Sequence, residues 1–387
     1  MVAAGLISTV IHPDASRQDG LLDFAVMDTL THALSGALLA RATEPSSPRA
    51  DQLPRRTRMW IGFWAAAFPD SDFIVRFIDP LTYLTTHRGI THSVVMLPLW
   101  ALVLAFACMW ILRKKYSWRA FVGVCALGIG AHIVGDVITA FGTMIFAPLS
   151  DWRAQLPATF IIDPYFTGIL IAGLIAAAVW KDTRRPAMIG LAVLAGYIGF
   201  QGVLHQRAVA VGEAYATRHG LIKEAEVSAV PQPFSPFNWM LVVEHGNDYH
   251  LSYVSLVRRE LPEALPDDAF WLRRVNASYF PADKAAWFQV LRYGQAPMEA
   301  ALAEKVWHSE TFARYRRFAL FPAVYRVDAA RDRTCVWFND LRFALIGRDM
   351  PFRYGACQGA ADTAWKVFRL SNDDNGREIL DAIRVEG

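Results

Sequence analysis

Charge is what this chain has least of. Asp, Glu, Lys and Arg together make up 19% of its 387 residues, against about a quarter in a soluble globular protein. The formal net charge is only +3, and no basic stripe with interleaved aromatics occurs, which excludes an electrostatic reader of nucleic acid. No nucleophile elbow, phosphate-cradling glycine loop or His-Glu-x-x-His is present. Internal repeats and low-complexity tracts are missing too, and Cys is limited to four residues. The first 26 residues carry an apolar scrap with no basic residues ahead of it, a poor secretory signal. Met27 reads as a better start, making residues 1–26 an expected extension, disordered or wrongly assigned.

What is abundant is apolar sequence, 54% of the chain, with a mean hydropathy of +0.22. The charge deficit is local: residues 90–210 hold most of the long apolar runs, and 211–387 read as ordinary soluble sequence. The clearest spans are 94–112, 120–141, 160–180 and 187–204, each near the roughly 20 residues that a bilayer core requires. Shorter apolar segments at 30–40 and 59–68 read as helices packed in the bundle. The expected fold is therefore a polytopic bundle of about six helical segments over residues 27–210, mainly α, followed by a small soluble α+β domain over 211–387.

Basic residues predict the sidedness. Arg41, Arg49, Arg55, Arg56 and Arg58 lie between the first two helices, Arg113, Lys114, Lys115 and Arg119 between the third and fourth, and Lys181, Arg184 and Arg185 between the fifth and sixth. Those three connections are expected in the cytoplasm, which places the C-terminal domain outside. On that alternation His32, Asp70, Asp72, His87, His92, His132 and Asp136 all fall toward the non-cytoplasmic face. At 1.5 Å per helical residue, His32 lies about 14 Å from Arg41, Asp70 about 18 Å from Arg58, and His132 about 20 Å from Arg119. His92 lies about 32 Å from Arg113. Tilt and a kink at Pro98 are expected to absorb the difference.

Ionisable residues at membrane depth are expensive to keep without a function. His132 and Asp136 are four residues apart and share a helix face. Asp70 and Asp72 follow Pro69, where the helix is expected to end. His87 and His92 bracket Gly89, whose freedom lets the backbone turn around a ligand, and Thr91 or Ser93 is placed to cap the next helix. Taken singly, a His near a span end is most often hydrogen-bonded at the interface, and Arg88 can simply snorkel to headgroups. Together, seven imidazole and carboxylate groups on one face favour a divalent metal site, zinc first, with manganese or magnesium as alternatives, and one or two ions.

Met27-Asp-Thr-Leu-Thr-His32, Phe68-Pro-Asp70-Ser-Asp72, His87-Arg-Gly-Ile-Thr-His92-Ser and His132-Ile-Val-Gly-Asp136 occur in that order. The set resembles the YdjM-type family of membrane-bound metal-dependent hydrolases over roughly residues 27–210. The resemblance implies a multi-pass inner-membrane protein with a divalent metal centre. It carries His32, Asp70, Asp72, His87, His92, His132 and Asp136 as ligands or ligand neighbours, with Asp163 as an extra candidate outside the core pattern. Within a hydrolase, Asp72 or His87 could act as ligand or general base, and Arg88 could hold developing negative charge. A site facing the outer leaflet suits a lipid or lipid-linked ester or phosphoester. The competing reading is a non-enzymatic metal-binding scaffold or transporter whose outer domain binds a partner.

The C-terminal part lacks these motifs. Residues 239–244 and 249–257 predict a hairpin around a four-residue turn, His245-Gly-Asn-Asp248. Further strands are expected at 318–327, 334–338 and 364–370, with an amphipathic helix over 297–318 and a stiff entry at Pro231-Gln-Pro233-Phe-Ser-Pro236. His205, His219, His245 and His250 read as surface or packing residues. Cys108 and Cys125 fall in spans. Cys335 and Cys357 would share an oxidising compartment, where a disulfide is open to them.

Overall fold

A computed structural model describes residues 20–45, 52–262, 265–266, 269–346, 350–362, 364–372 and 378–382. The expected N-terminal extension lies outside that set up to residue 19. From Gly20 the chain is helical: α1 spans Gly20–Ala42, so His32 sits in mid-helix rather than at the helix start. There follow α2 (Arg55–Ala67), a 3₁₀ segment (Pro69–Phe77), α3 (Pro80–Thr86), a 3₁₀ turn (Ile90–His92), α4 (Leu97–Ile111), α5 (Arg119–Val137), α6 (Pro164–Val179) and α7 (Arg185–Arg218).

Two of these helices start the same way. Asp79 accepts from the Leu81 and Thr82 amides at 2.9 and 3.2 Å, and Asp163 from those of Tyr165 and Phe166 at 2.8 and 3.0 Å. In each case Pro follows at the first helical position, where its missing N–H costs nothing. Asp163 is thus a helix cap, and its other oxygen accepts from Tyr197 Oη at 2.6 Å and Gln201 Nε2 at 3.3 Å. It stands apart from the His/Asp cluster.

In lipid, helices associate through close packing rather than hydrophobic contrast. Gly36 of α1 and Gly62 of α2 meet backbone to backbone: a Cβ on Gly36 would overlap the Gly62 carbonyl oxygen. Helix α5 completes this three-helix core, with Ile61, Ala65, Phe121, Val124, Cys125 and Ile129 buried between the elements. At one end of the bundle Arg41 donates to the carbonyls of Lys181 (3.0 Å) and Thr183, Arg55 pairs with Glu44, and Arg184 reaches the Glu44 carbonyl at 2.7 Å. The first and last basic connections therefore meet.

The six expected segments are present as α1, α2, α4, α5, α6 and α7, but not all are long enough to span. Among the described residues, α5 and α7 are long and apolar enough to cross a membrane, and residues 80–92 with 97–111 form a pair bent by 80° that can make a third; α6 is a shorter apolar helix. The expected span 94–112 begins only at Leu97. The sharp bend precedes Pro98 rather than falling on it, because Ser93 Oγ takes the Val95 amide at 3.1 Å and donates to the Ala147 carbonyl at 2.6 Å, pinning the chain in a turn. Helix α7 runs 34 residues, about 51 Å, well past a bilayer core of about 30 Å. Hydropathy falls after Leu204, yet the helix continues to Arg218.

The upper part of α7 packs on the C-terminal domain, burying Ala208 and Tyr215 against Trp239 and Val243. That domain holds two five-stranded sheets. The first runs β1 (Ala225–Pro231), β2 (Asn238–His245), β3 (Asp248–Ser255), β4 (Phe280–Pro281), with β5 (Trp287–Leu291) also on β3. The second is an antiparallel meander of β6 (Pro322–Ala329), β7 (Arg333–Asp340), β8 (Tyr354–Gly359), β9 (Lys366–Asn372) and β10 (Glu378–Ala382). The β2–β3 turn has two residues, not four: His245 pairs with Asp248, and Gly246 takes φ +60°, the conformation that such tight hairpins demand. The helix expected over 297–318 breaks into α9 (Pro297–His308) and α10 (Ala313–Phe318), because Ser309 turns extended and its hydroxyl satisfies the Val306 carbonyl at 2.7 Å. Strand β6 accordingly starts at Pro322, a tolerated first strand position. Between the sheets and helices lie α8 (Trp271–Ala277) and short turns. Cys335 and Cys357, cross-strand partners on β7 and β8, form a disulfide.

The two parts of the chain share one core. Leu81 and Leu84 of α3 and Phe141 beyond α5 are buried with Trp307, Phe312, Phe318 and Phe338 of the C-terminal domain.

Candidate metal centre

The end of the bundle remote from the Arg41 cluster gathers the polar residues. Helix α1 contributes Asp28 and His32, the 3₁₀ segment Asp70 and Asp72, the α3–α4 connection His87, Arg88 and His92, and α5 His132 and Asp136. Among the described residues, three overlapping groups have ligand atoms within 4.8 Å of one another: His32, His132 and Asp136; Asp70, His92 and His132; Asp72, His87 and His92. All seven residues expected as ligands are thereby brought together, and the 80° bend folds His92 back toward α5.

Asp136 is at the centre. Its Oδ1 lies 3.3 Å from His32 Nε2, and its Oδ2 lies 3.3 Å from His92 Nε2 and 3.4 Å from His132 Nε2. Asp70 Oδ1 is 3.5 Å from both His92 Nε2 and His132 Nε2. The ring of His132 stacks on that of His32 at 3.9 Å, a close approach that Gly135 makes possible: a Cβ there would meet His32 Cε1 at 2.7 Å.

Outer contacts fix which nitrogen is available. His132 Nδ1 lies 2.6 Å from the Ala66 carbonyl, an oxygen that can only accept. The proton is therefore on Nδ1, and the Nε2 lone pair faces the cluster, the tautomer metal-binding histidines adopt. His92 Nδ1 contacts Thr91 Oγ1 at 2.9 Å, and Thr91 Oγ1 donates to Asp72 Oδ2 at 3.2 Å. Thr91 thus orients the site; it caps no helix. Thr29 Oγ1 donates to Asp70 Oδ2 at 2.6 Å, and His87 Nδ1 pairs with Asp72 Oδ1 at 2.9 Å.

Arg88, only 1% exposed, does not snorkel. It takes a left-handed φ of +59°, a costly conformation for a side-chain-bearing residue, and turns inward. Its Nη2 lies 3.0 Å from Asp136 Oδ1 and 3.3 Å from Asp28 Oδ2, while Nη1 donates to Thr139 Oγ1 at 2.7 Å. Asp28 is a site residue that sequence reasoning passed over. Its signal was present, since it stands four residues before His32 on one helix face and lies 3.3 Å from that ring. Above the site Arg153 donates to the carbonyls of Thr85 at 2.8 Å and Gly142 at 3.1 Å. Burial and the neighbouring Arg342 push its pKa down to about 10.

The donor set tests whether a cation fits. Among the described residues, the Nε2 atoms of His32, His92 and His132 and the Oδ2 atom of Asp136 are buried without a hydrogen-bond partner, while Asp136 Oδ1 is ion-paired to Arg88 Nη2 at 3.0 Å. Buried polar atoms are normally satisfied, and leaving these without partners costs about 1–3 kcal/mol each. Nitrogen lone pairs and carboxylate oxygens converging on one space are what zinc, manganese or a similar divalent ion takes. The residues fit such an ion.

Residues 27–208 match the model of the family described as YdjM inner membrane protein. The uncharacterised protein YfhP of Bacillus subtilis (strain 168) is 24% identical over 227 residues, which cover 58% of this chain and 67% of that protein. No solved structure matches the chain.

Proposed function

We propose, from the premise that residues 27–208 are a YdjM-family membrane domain, that this protein is a metal-dependent hydrolase acting at the outer side of the inner membrane on a lipid or lipid-linked ester or phosphoester. The observation that carries the reading is the set of buried metal-ligating atoms without a hydrogen-bond partner among the described residues: three imidazole nitrogens and Asp136 Oδ2.

His32, His92, His132, Asp70 and Asp136 would hold the ion. The overlapping groups share His132 and His92, a pattern that suits two neighbouring ions as well as one. Bound there, a divalent cation supplies polarisation of the scissile group and eases deprotonation of water. The protein's residues do the rest. Asp72 and His87, hydrogen-bonded to each other and less buried than Asp136, form a carboxylate–imidazole pair suited to take a proton from the attacking water and pass it on. Arg88 holds its guanidinium against Asp136 and Asp28, where it can neutralise negative charge that develops on the substrate.

Lipid access is supported by the surroundings. Ile74, Phe77 and Ile78 follow Asp72 and are 63%, 73% and 82% exposed, and Leu149 and Trp152 of the α5–α6 connection are exposed too. Apolar side chains beside a polar site suit a bilayer interface. The C-terminal domain packs at the end of the bundle opposite the Arg41 cluster, and the positive-inside rule and its disulfide support an oxidising extracytoplasmic location for it. Transport fits less well, since Gly36, Gly62 and Gly128 hold α1, α2 and α5 in backbone contact beneath the site.

The test is elemental analysis of detergent-purified protein beside a His132→Ala/Asp136→Ala variant, followed by hydrolysis assays on phospholipids and lipid-linked pyrophosphates. Stoichiometric metal lost in the variant, with a metal-dependent activity lost alongside it, is the expected result. Wild-type protein devoid of metal after purification and reconstitution with zinc or manganese would end the proposal.

A further inference from the structure

Phe141 lies just beyond α5, and its ring touches both domains. The Arg88 guanidinium carbon sits 4.9 Å from the ring centroid, that of Arg342 5.7 Å, and the His87 ring meets it edge-on at 5.5 Å. Arg342 comes from the C-terminal domain, about two hundred residues later in the chain. It donates through Nη1 to the Phe141 carbonyl at 2.7 Å and to the Ala140 carbonyl at 3.3 Å, and through Nη2 to the Phe318 carbonyl at 3.1 Å. Asp340, fully buried, holds Arg342 Nη2 at 2.9 Å. A planar guanidinium with five donors can clamp several acceptors in fixed directions, which an ammonium cannot. Two of the three carbonyls it clamps, those of Ala140 and Phe141, lie just beyond the helix that carries His132 and Asp136, and the ring it braces lies against His87 and Arg88.

We propose that Arg342 is a positioning residue of the metal centre: through Phe141 it fixes His87, Arg88 and the end of α5, so the C-terminal domain is a structural wall of the site rather than a separate binding module. This rests on the metal reading above. Outer partners of ligands typically change metal affinity or activity 10- to 100-fold when removed, and that is the effect expected here.

The experiment uses the full chain in detergent with cobalt(II) as the probe, read by titration calorimetry and by its visible ligand-field bands. Phe141→Leu keeps the site apolar but removes the ring. Asp340→Asn/Arg342→Gln removes both charges together, so neither is left buried alone. Arg292→Gln is the control, since Arg292 bonds Tyr249 and Glu244 within the same domain. Both test variants should bind cobalt 10- to 100-fold more weakly with shifted bands, and the control should match wild type. Unchanged affinity and bands in a folded test variant, or an equal loss in the control, overturns the proposal. Wild-type protein that binds no cobalt overturns the metal reading as well, which separates the two failures.

Discussion

Replacing Asp136 by Asn removes one charge while keeping the shape of the side chain, and two effects should follow. The first is on stability. Asp136 and Arg88 are each about 1% exposed and lie 3.0 Å apart; at an effective dielectric of about 20 two unit charges at that distance interact by about 5 kcal/mol. Removing one partner of a buried pair costs about 3–5 kcal/mol. Asp28, 3.3 Å from the same nitrogen, still faces Arg88, so the loss should sit near the lower end, about 3 kcal/mol. Adding Arg88→Met should recover part of it, because the charge left without its partner is then gone. The second effect is on the ion. Metal at 100 times its Kd stabilises the fold by about 2.7 kcal/mol, and a 100-fold weaker Kd leaves about 0.4 kcal/mol at the same concentration. Thermal unfolding in detergent with and without zinc, beside elemental analysis, measures both. Asp136→Asn protein that keeps stoichiometric metal and the wild-type zinc-dependent rise in Tm would refute the placement of Asp136 at the centre of the site.

Three further outcomes are expected. Gly135→Ala should push the His32 ring out of its stack on His132 and weaken metal binding at least tenfold while leaving the far end of the bundle intact; titration with zinc checks it, and wild-type affinity would contradict the packing described. Cys335→Ser/Cys357→Ser should lower the stability of the C-terminal domain by about 2–4 kcal/mol. In a Cys108→Ala/Cys125→Ala background, Cys335 and Cys357 in intact cells should resist maleimide labelling until a reductant is added, and ready labelling without reductant would count against an oxidising location.

The candidate site was legible in sequence because apolar runs make polar residues conspicuous. His132 and Asp136 stand out within one run, and Asp70, Asp72, His87 and His92 flank others. Asp28 was not, since it lies in a mixed stretch where a carboxylate attracts no notice; only its spacing from His32 marked it. Arg88 looked like an interfacial cation because its inward turn depends on a left-handed backbone and on Asp136 arriving from another helix. The fold was legible in outline. The bend before Leu97 hinges on a Ser93 hydroxyl whose partner, the Ala147 carbonyl, is 54 residues away. The turn at Gly246 was overestimated because strand ends are defined by pairing, and pairing is not local. The second sheet's register, likewise, is set by long-range strand contacts that no single segment encodes.

Helix α7 has no break between its first turn beside the Arg41 cluster and its last against β1 and β2. A continuous helix behaves as a stiff lever, so any inclination it takes in a bilayer is passed to the first sheet, whose β1 and β2 pack on its upper end. A thinner membrane, which makes a long apolar rod lean, would therefore reorient the whole extramembrane head, and with it the Phe141 contact. Cobalt affinity compared in vesicles of graded acyl-chain length would read that leverage directly.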